Sequence, residues 1–202
     1  MVCLHIEALR GDGLGPIDLR IEAGECVCLS GPSGAGKTRL LRAIADLDPH
    51  AGTVSLDGVD ATRMAAPAWR RAVALLPADS RWWGARVAEH FPRDAQPDPA
   101  QVGLPQDALQ WNVERLSSGE RQRLALLRVL ANQPKVLLLD EPTANLDAAN
   151  AERIEALIAE YKTAHAAAVI WVSHDAQQIV RVADRRLLID HGRLVERIGA
   201  AA

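Results

Sequence analysis

Aromatic side chains are scarce in this chain: one Phe, one Tyr and five Trp among 202 residues, with none of them before Trp69. An excess of positive charge is also missing. Lys and Arg number 23 against 26 Asp and Glu, which gives a net charge of −3 and an isoelectric point near 6.1. That balance lacks the electrostatic footprint of a nucleic-acid binder, and no nucleic-acid partner is expected. Long apolar runs are absent, since the longest, Ala166 to Val172, falls far short of the roughly 18 residues that suggest a bilayer crossing. The chain is therefore expected to have no membrane span of its own. The N-terminal stretch has neither the basic start nor the apolar core of a secretory signal, so the cytosol is the expected compartment. Cys3, Cys26 and Cys28 form no C-x-x-C pair and have no histidine at ligand spacing, which argues against zinc or a redox centre. They read as buried thiols in strands.

With 49% hydrophobic and 24% charged residues, the sequence suits one globular domain over 1–202. Glu25 to Ser30 is a short apolar run ending in a glycine-rich turn, and Lys37 to Leu47 follows with helical spacing, so strand, loop and helix succeed one another. Lys135 to Asp140 and Ala167 to Ser173 read as buried strands. Between them, Ile154, Leu157, Ile158 and Tyr161 lie at i, i+3, i+4 and i+7 on one helix face. Asp175 to Ala183 reads as a helix, Arg186 to Asp190 as a strand, and His191-Gly192 as a tight turn between two strands. Such alternation predicts an α/β fold with a mainly parallel sheet covered by helices. Four prolines between Phe91 and Trp111 (Pro92, Pro97, Pro99 and Pro105) predict a small irregular insertion.

Gly31-Pro32-Ser33-Gly34-Ala35-Gly36-Lys37-Thr38 fits G-x-x-x-x-G-K-[ST], with a strand before it and a helix after it, as a phosphate loop requires. Its backbone N–H groups would wrap phosphate oxygens, Lys37 would reach the β- and γ-phosphates, and Thr38 would ligate Mg²⁺. Taken alone, the same letters describe a glycine-rich turn beside a surface lysine. Val136 to Glu141 sets two carboxylates at the tip of an apolar strand, where a cation or proton is needed to tolerate them. Asp140 suits Mg²⁺, and Glu141 suits activation of an attacking water. The bland reading of that pair is an acidic helix start.

Leu116-Ser117-Ser118-Gly119-Glu120, followed by Arg121-Gln122-Arg123, resembles the L-S-G-G-Q signature of ABC (ATP-binding cassette) ATPases, although a serine-capped helix start reads much the same. Ala144-Asn145-Leu146-Asp147 is similar to that family's D-loop, and His174 after Ser173 resembles its switch histidine. The resemblance runs from Leu4 to about Glu196. It implies a P-loop NTPase fold with an N-terminal antiparallel β part and a short helical lobe, about 79–125, carrying the signature. It also implies an Mg²⁺-dependent ATPase that powers transport, with Lys37, Glu141 and His174 catalytic. Gly31 to Thr38, Ser117, Gly119 and Asp147 would bind ATP, and Thr38 and Asp140 the metal. The implied partners are a separate transmembrane permease and a second copy joined through ATP. The implied location is the inner face of the cell membrane. Gln96 to Ala100, Pro134 to Glu141 and Ile170 to Asp175 look similar to bacterial iron-export subunits.

Four departures stand out against the family pattern. Ala78 occupies the place of a glutamine that touches Mg²⁺, with Asp79 or Ser80 as nearby substitutes. The aromatic that stacks adenine is missing, and Arg10 is the candidate in its place. Ser118 replaces a signature glycine, which matters if its φ must be positive. Glu120 stands in place of glutamine. Trp82 and Trp83 fall where a permease would dock, while Trp69, Trp111 and Trp171 read as packing residues. Two further readings remain: a nucleotide-binding regulatory module with weak turnover, and an ABC ATPase unconnected with transport.

Overall fold

The computed structural model describes residues 3–197. Strands β1 (Cys3–Gly11), β2 (Leu14–Glu22), β4 (Ala51–Leu56) and β5 (Val59–Asp60) form an antiparallel sheet in the order β2-β1-β4-β5. A second sheet takes β3 (Cys26–Ser30), β6 (Val73–Leu76), β7 (Val136–Asp140), β8 (Ala168–Val172), β9 (Arg185–Asp190) and β10 (Arg193–Arg197). Its order is β10-β9-β3-β8-β7-β6. Every neighbouring pair in it is parallel except β9 with β10. The helices are α1 (Lys37–Ile44), α2 (Ala66–Ala72), α3 (Ser118–Leu130), α4 (Ala148–His165) and α5 (Ala176–Val182). The mainly parallel sheet, the helices around it and the antiparallel N-terminal part are those the sequence implied.

Period-two alternation divides the core into two faces. Val136 and Leu138 on β7, with Ala168, Ile170 and Val172 on β8, pack toward α1 and the antiparallel sheet. Leu137, Leu139, Val169 and Trp171 face the opposite way, toward α3 and α4. Strands buried on both sides need the continuous apolar runs seen in the sequence. Trp69 is fully buried and donates its indole N–H to the Ile44 carbonyl at 3.0 Å, which ties α2 to the end of α1.

Some expectations shift. Helix α1 stops at Ile44 rather than Leu47, because Asp46 turns to φ 55° and Arg42 closes onto Asp48 at 2.6 Å. The segment before α3 contains only short 3₁₀ turns, at Val87–His90, Pro99–Val102, Gln106–Gln110 and Val113–Arg115. Prolines at 92, 97, 99 and 105 deny it the N–H donors of a longer helix. It packs through Val87, Val102, Leu104, Ala108 and Val113. Cys26 and Cys28 are buried on β3, and the hydrogen-bonding Cys28 thiol together with burial pushes the Cys26 thiol upward in pKa. The side chain of Cys3 lies outside the described residues.

Leu138 is fully buried on the central strand β7. Leu138→Ala is expected to lower unfolding free energy by about 2–5 kcal/mol, read from the midpoint shift in a denaturant titration.

Candidate functional site

Strand β3 delivers the chain into the loop 31–36, and α1 starts at Lys37. Gly31 has φ 149°, and a Cβ there would run into the Ile189 carbonyl; Gly36 has φ 107° and faces the Leu14 side chain. Neither place admits a larger residue without strain. Gly36 caps α1 with no side-chain hydrogen bond, and the first turn of α1 has no acid. The helix start is thus left to anionic oxygens. Lys37 is buried, and its ammonium donates to the carbonyls of Gly31 and Pro32, both at 2.9 Å.

Because β7 lies next to β8, which adjoins β3, the C-terminal end of β7 comes to the start of α1. The Thr38 hydroxyl donates to Asp140 Oδ2 at 2.8 Å. Asp140 is 5% exposed, and burial holds its carboxyl above the usual carboxylate range, aided by the nearby Glu141 charge. The Thr38 hydrogen bond, Lys37 and His174 pull in the opposite direction. One hydroxyl and one buried carboxylate are hard oxygen donors of the kind Mg²⁺ takes, with phosphates supplying further oxygens. Among the described residues no group of three or more His, Cys, Asp or Glu is arranged to hold a metal. The donor set therefore suits an ion shared with phosphate rather than an all-protein cage.

Glu141 adopts φ 49°, in the left-handed region that non-glycine residues occupy at a cost of order 1–3 kcal/mol. With this turn at the strand end Asp140 meets Thr38, while Glu141 Oε1 lies 2.9 Å from His174 Nε2. Lys37, Thr38, Asp140, Glu141 and His174 thus meet beyond the carboxyl ends of the interior strands β3, β7 and β8.

Ser117, Gly119 and Asp147 belong to a separate group. Ser117 caps α3: its N–H and hydroxyl donate to Glu120 Oε2 at 2.8 and 2.9 Å, and its Oγ accepts the Glu120 N–H at 3.3 Å. These bonds hold the Glu120 carboxyl below the usual range. Ser118 begins α3 without a positive φ, so its Cβ brings no backbone strain and that concern is removed. A Cβ on Gly119 would lie 3.2 Å from the Asn145 carbonyl, which sets the start of α3 against the 144–147 loop. Asp147 caps α4 by accepting the Asn150 N–H at 2.8 Å, which depresses its pKa. None of these contacts reaches Lys37 or Thr38.

Ala78 and Asp79 are exposed, whereas Ser80 is buried with its hydroxyl 3.4 Å from Gln122 Oε1. Gln122 also donates to the Pro77 carbonyl at 3.2 Å, joining α3 to the end of β6. A second brace escaped sequence reasoning: buried Gln178 donates to Thr143 Oγ1 and to Glu155 Oε1, each at 2.8 Å. Arg181 then clasps Glu155 through both oxygens, at 2.9 and 2.8 Å. The brace fixes the helix after His174 to the loop after Glu141. No local pattern marks residues so far apart in sequence.

Together, the glycine-rich loop, the capless helix start and the acidic strand tip define a P-loop nucleotide-binding domain. A family model described as ABC transporter matches residues 14–144, and the chain belongs to that family. It is 37% identical to the "Probable iron export ATP-binding protein FetA" of Escherichia coli K12, over 87% of this chain and 84% of that protein. It is 39% identical to the "Aliphatic sulfonates import ATP-binding protein SsuB 2" of Frankia alni, over 92% of this chain and 74% of that protein. Among solved structures, a bacterial Atm1-family ABC exporter with ATP bound superposes with a TM-score of 0.82 at 26% identity. That match covers 96% of this chain and 38% of the exporter chain.

A carboxyl whose pKa is raised on folding stabilises the fold fully below its unfolded pKa, and that contribution fades as pH climbs through the folded value. Asp140→Asn is therefore expected to melt higher than the parent at neutral pH. The difference should vanish near pH 3 to 4, about the ordinary aspartate range, in thermal melts across pH.

Proposed function

We propose that this chain is the Mg²⁺-dependent ATP-hydrolysing subunit of an ABC transporter whose membrane-crossing part is a separate permease. The observation that carries this reading is the pairing of Glu141 with His174 at 2.9 Å beside the Thr38–Asp140 pair at 2.8 Å. One carboxylate is placed to share a metal with phosphate, and the other to take a proton from water. As water attacks the γ-phosphorus, Glu141 accepts its proton, the bond to the bridging oxygen breaks, and ADP leaves. His174 holds Glu141 in place and contacts the γ-phosphate. Mg²⁺ held by Thr38 and Asp140 would neutralise charge on the β- and γ-oxygens.

Ser117 and Gly119 stand apart from Lys37 within the chain; the capping box takes the Ser117 and Glu120 N–H groups, so the N–H groups of Ser118 and Gly119 between them are those left to serve phosphate. A homodimer in which each α3 closes over ATP on the partner's loop completes both sites by two-fold symmetry. Asp147, beside that helix start, then lies at the seam between copies. Residues 79–125 form the lobe that carries the signature, within a single domain over 1–202. No helix among the described residues is long and apolar enough to cross a membrane, which fits a peripheral place at the inner face of the cell membrane, on the permease. The likeness to FetA supports metal export as the finer reading, though sulfonate import subunits are also similar.

Ala78, exposed and without a polar side chain, favours a second reading: a module that holds nucleotide with little turnover. The two readings part on one variant. Glu141→Gln should lose roughly 10²–10⁴-fold in Mg²⁺-dependent ATP turnover while retaining ATP and forming dimers with it on sizing. Turnover equal to the parent's would remove Glu141 from its role. A parent that binds ATP without turning it over would favour the module.

A further inference from the structure

We propose that His191, at the tip of the β9–β10 turn, is the ring on which the nucleotide base stacks. This rests on the reading of the phosphate loop as an ATP site, and it gives the base a contact other than Arg10. The end of β9 and its turn form a wall of the loop itself. The Gly192 N–H donates to the Ala35 carbonyl at 3.1 Å, and the Gly15 N–H donates to the Gly192 carbonyl at 2.8 Å. Gly31 presses so closely on Ile189 that a Cβ would meet its carbonyl.

Strand order sets the direction of the nucleotide. Asp140 and Glu141 at the end of β7, and His174 after β8, mark the γ-phosphate end. Strand β3, which feeds the loop, has β8 on that side and β9 on the other. A triphosphate lying across the start of α1 with its γ end toward β7 therefore directs its ribose and base toward β9. Two turns border the loop there: Asp12-Gly13, where Asp12 accepts a hydrogen bond from Arg39 at 3.2 Å, and His191-Gly192. Of these residues only His191 carries an aromatic ring.

Packing does not account for that ring. The His191 side chain is 95% exposed, and Asp190 is 3.8 Å from its Nε2. The residue sits at φ 44°, a turn geometry that histidine tolerates and glycine serves more easily, and burial does not call for the ring. Arg10 is exposed as well and its side chain lies beside Gly15, but its backbone belongs to β1, paired with Ala51 of β4, whereas His191 sits on the turn that bonds the loop itself. An imidazole standing free beside a phosphate loop has the flat π face and the low conformational cost that purine stacking uses.

The test is calorimetric titration of ATP and of inorganic tripolyphosphate, each with Mg²⁺, into Glu141→Gln chains that also carry His191→Ala or His191→Phe. His191→Ala is expected to weaken ATP by roughly 5- to 100-fold, the range that removal of one base-stacking ring produces. Tripolyphosphate should bind as before, and His191→Phe should restore ATP. Unchanged ATP affinity in His191→Ala would overturn the proposal, and so would an equal loss for ATP and tripolyphosphate, which would mean a damaged turn. Failure of Glu141→Gln alone to bind ATP would overturn the nucleotide reading itself, and this inference with it.

Discussion

Everything at the site depends on bringing a buried carboxylate against the start of a helix. Asp140 ends a strand whose five residues are all buried, and a carboxylate in such a place is costly unless something compensates it. The Thr38 hydroxyl at 2.8 Å and the ammonium of Lys37 supply part of that compensation, while burial still pushes the Asp140 carboxyl above the usual range. A divalent cation with phosphate oxygens would offset that push. The core is arranged to hold this geometry, with α1 packed on Val136, Leu138, Ile170 and Val172 and pinned at its far end by Trp69.

The left-handed turn at Glu141 is the second constraint. Without it two successive acids at a strand tip would point to opposite faces, and one would be lost to the site. With it, Asp140 faces Thr38 while Glu141 faces His174. Such backbone strain persists only where its surroundings enforce it. Here the Gln178 bridge to Thr143 and Glu155, with the Arg181 clasp, holds the following loop and the His174 helix together. A change at α5 would thus reach Glu141 through packed polar contacts.

Much of this was legible in the sequence because it is local. The apolar run at 136–139 and the glycines at 31, 34 and 36 carry their own structural meaning, and the hairpin turn at His191-Gly192 was readable from two letters. What escaped reading was non-local. Gln122 and Ser80 are 42 residues apart and meet only when α3 packs on β6. Glu155 and Arg181 sit on different helices whose mutual angle no periodicity records. The end of α1 was missed because Asp46 turns left-handed to let Arg42 reach Asp48, a tertiary preference that overrides helical spacing. The strain feared at Ser118 came from treating a helix-start residue as a loop glycine.

The signature segment sits apart from the phosphate loop of its own chain. Ser117 makes its contacts with Glu120, and Gly119 lies against the Asn145 carbonyl and the Leu146 side chain, away from Lys37 and Thr38. In the proposed dimer α3 serves the ATP of the partner copy, so a single chain would be catalytically incomplete. The most direct test is Mg²⁺-dependent ATP turnover per chain across a wide range of chain concentration, with sizing at each point. Turnover per chain is expected to rise as dimers form and to fall away where the chain is monomeric. Constant turnover per chain at concentrations where sizing shows only monomer would contradict it.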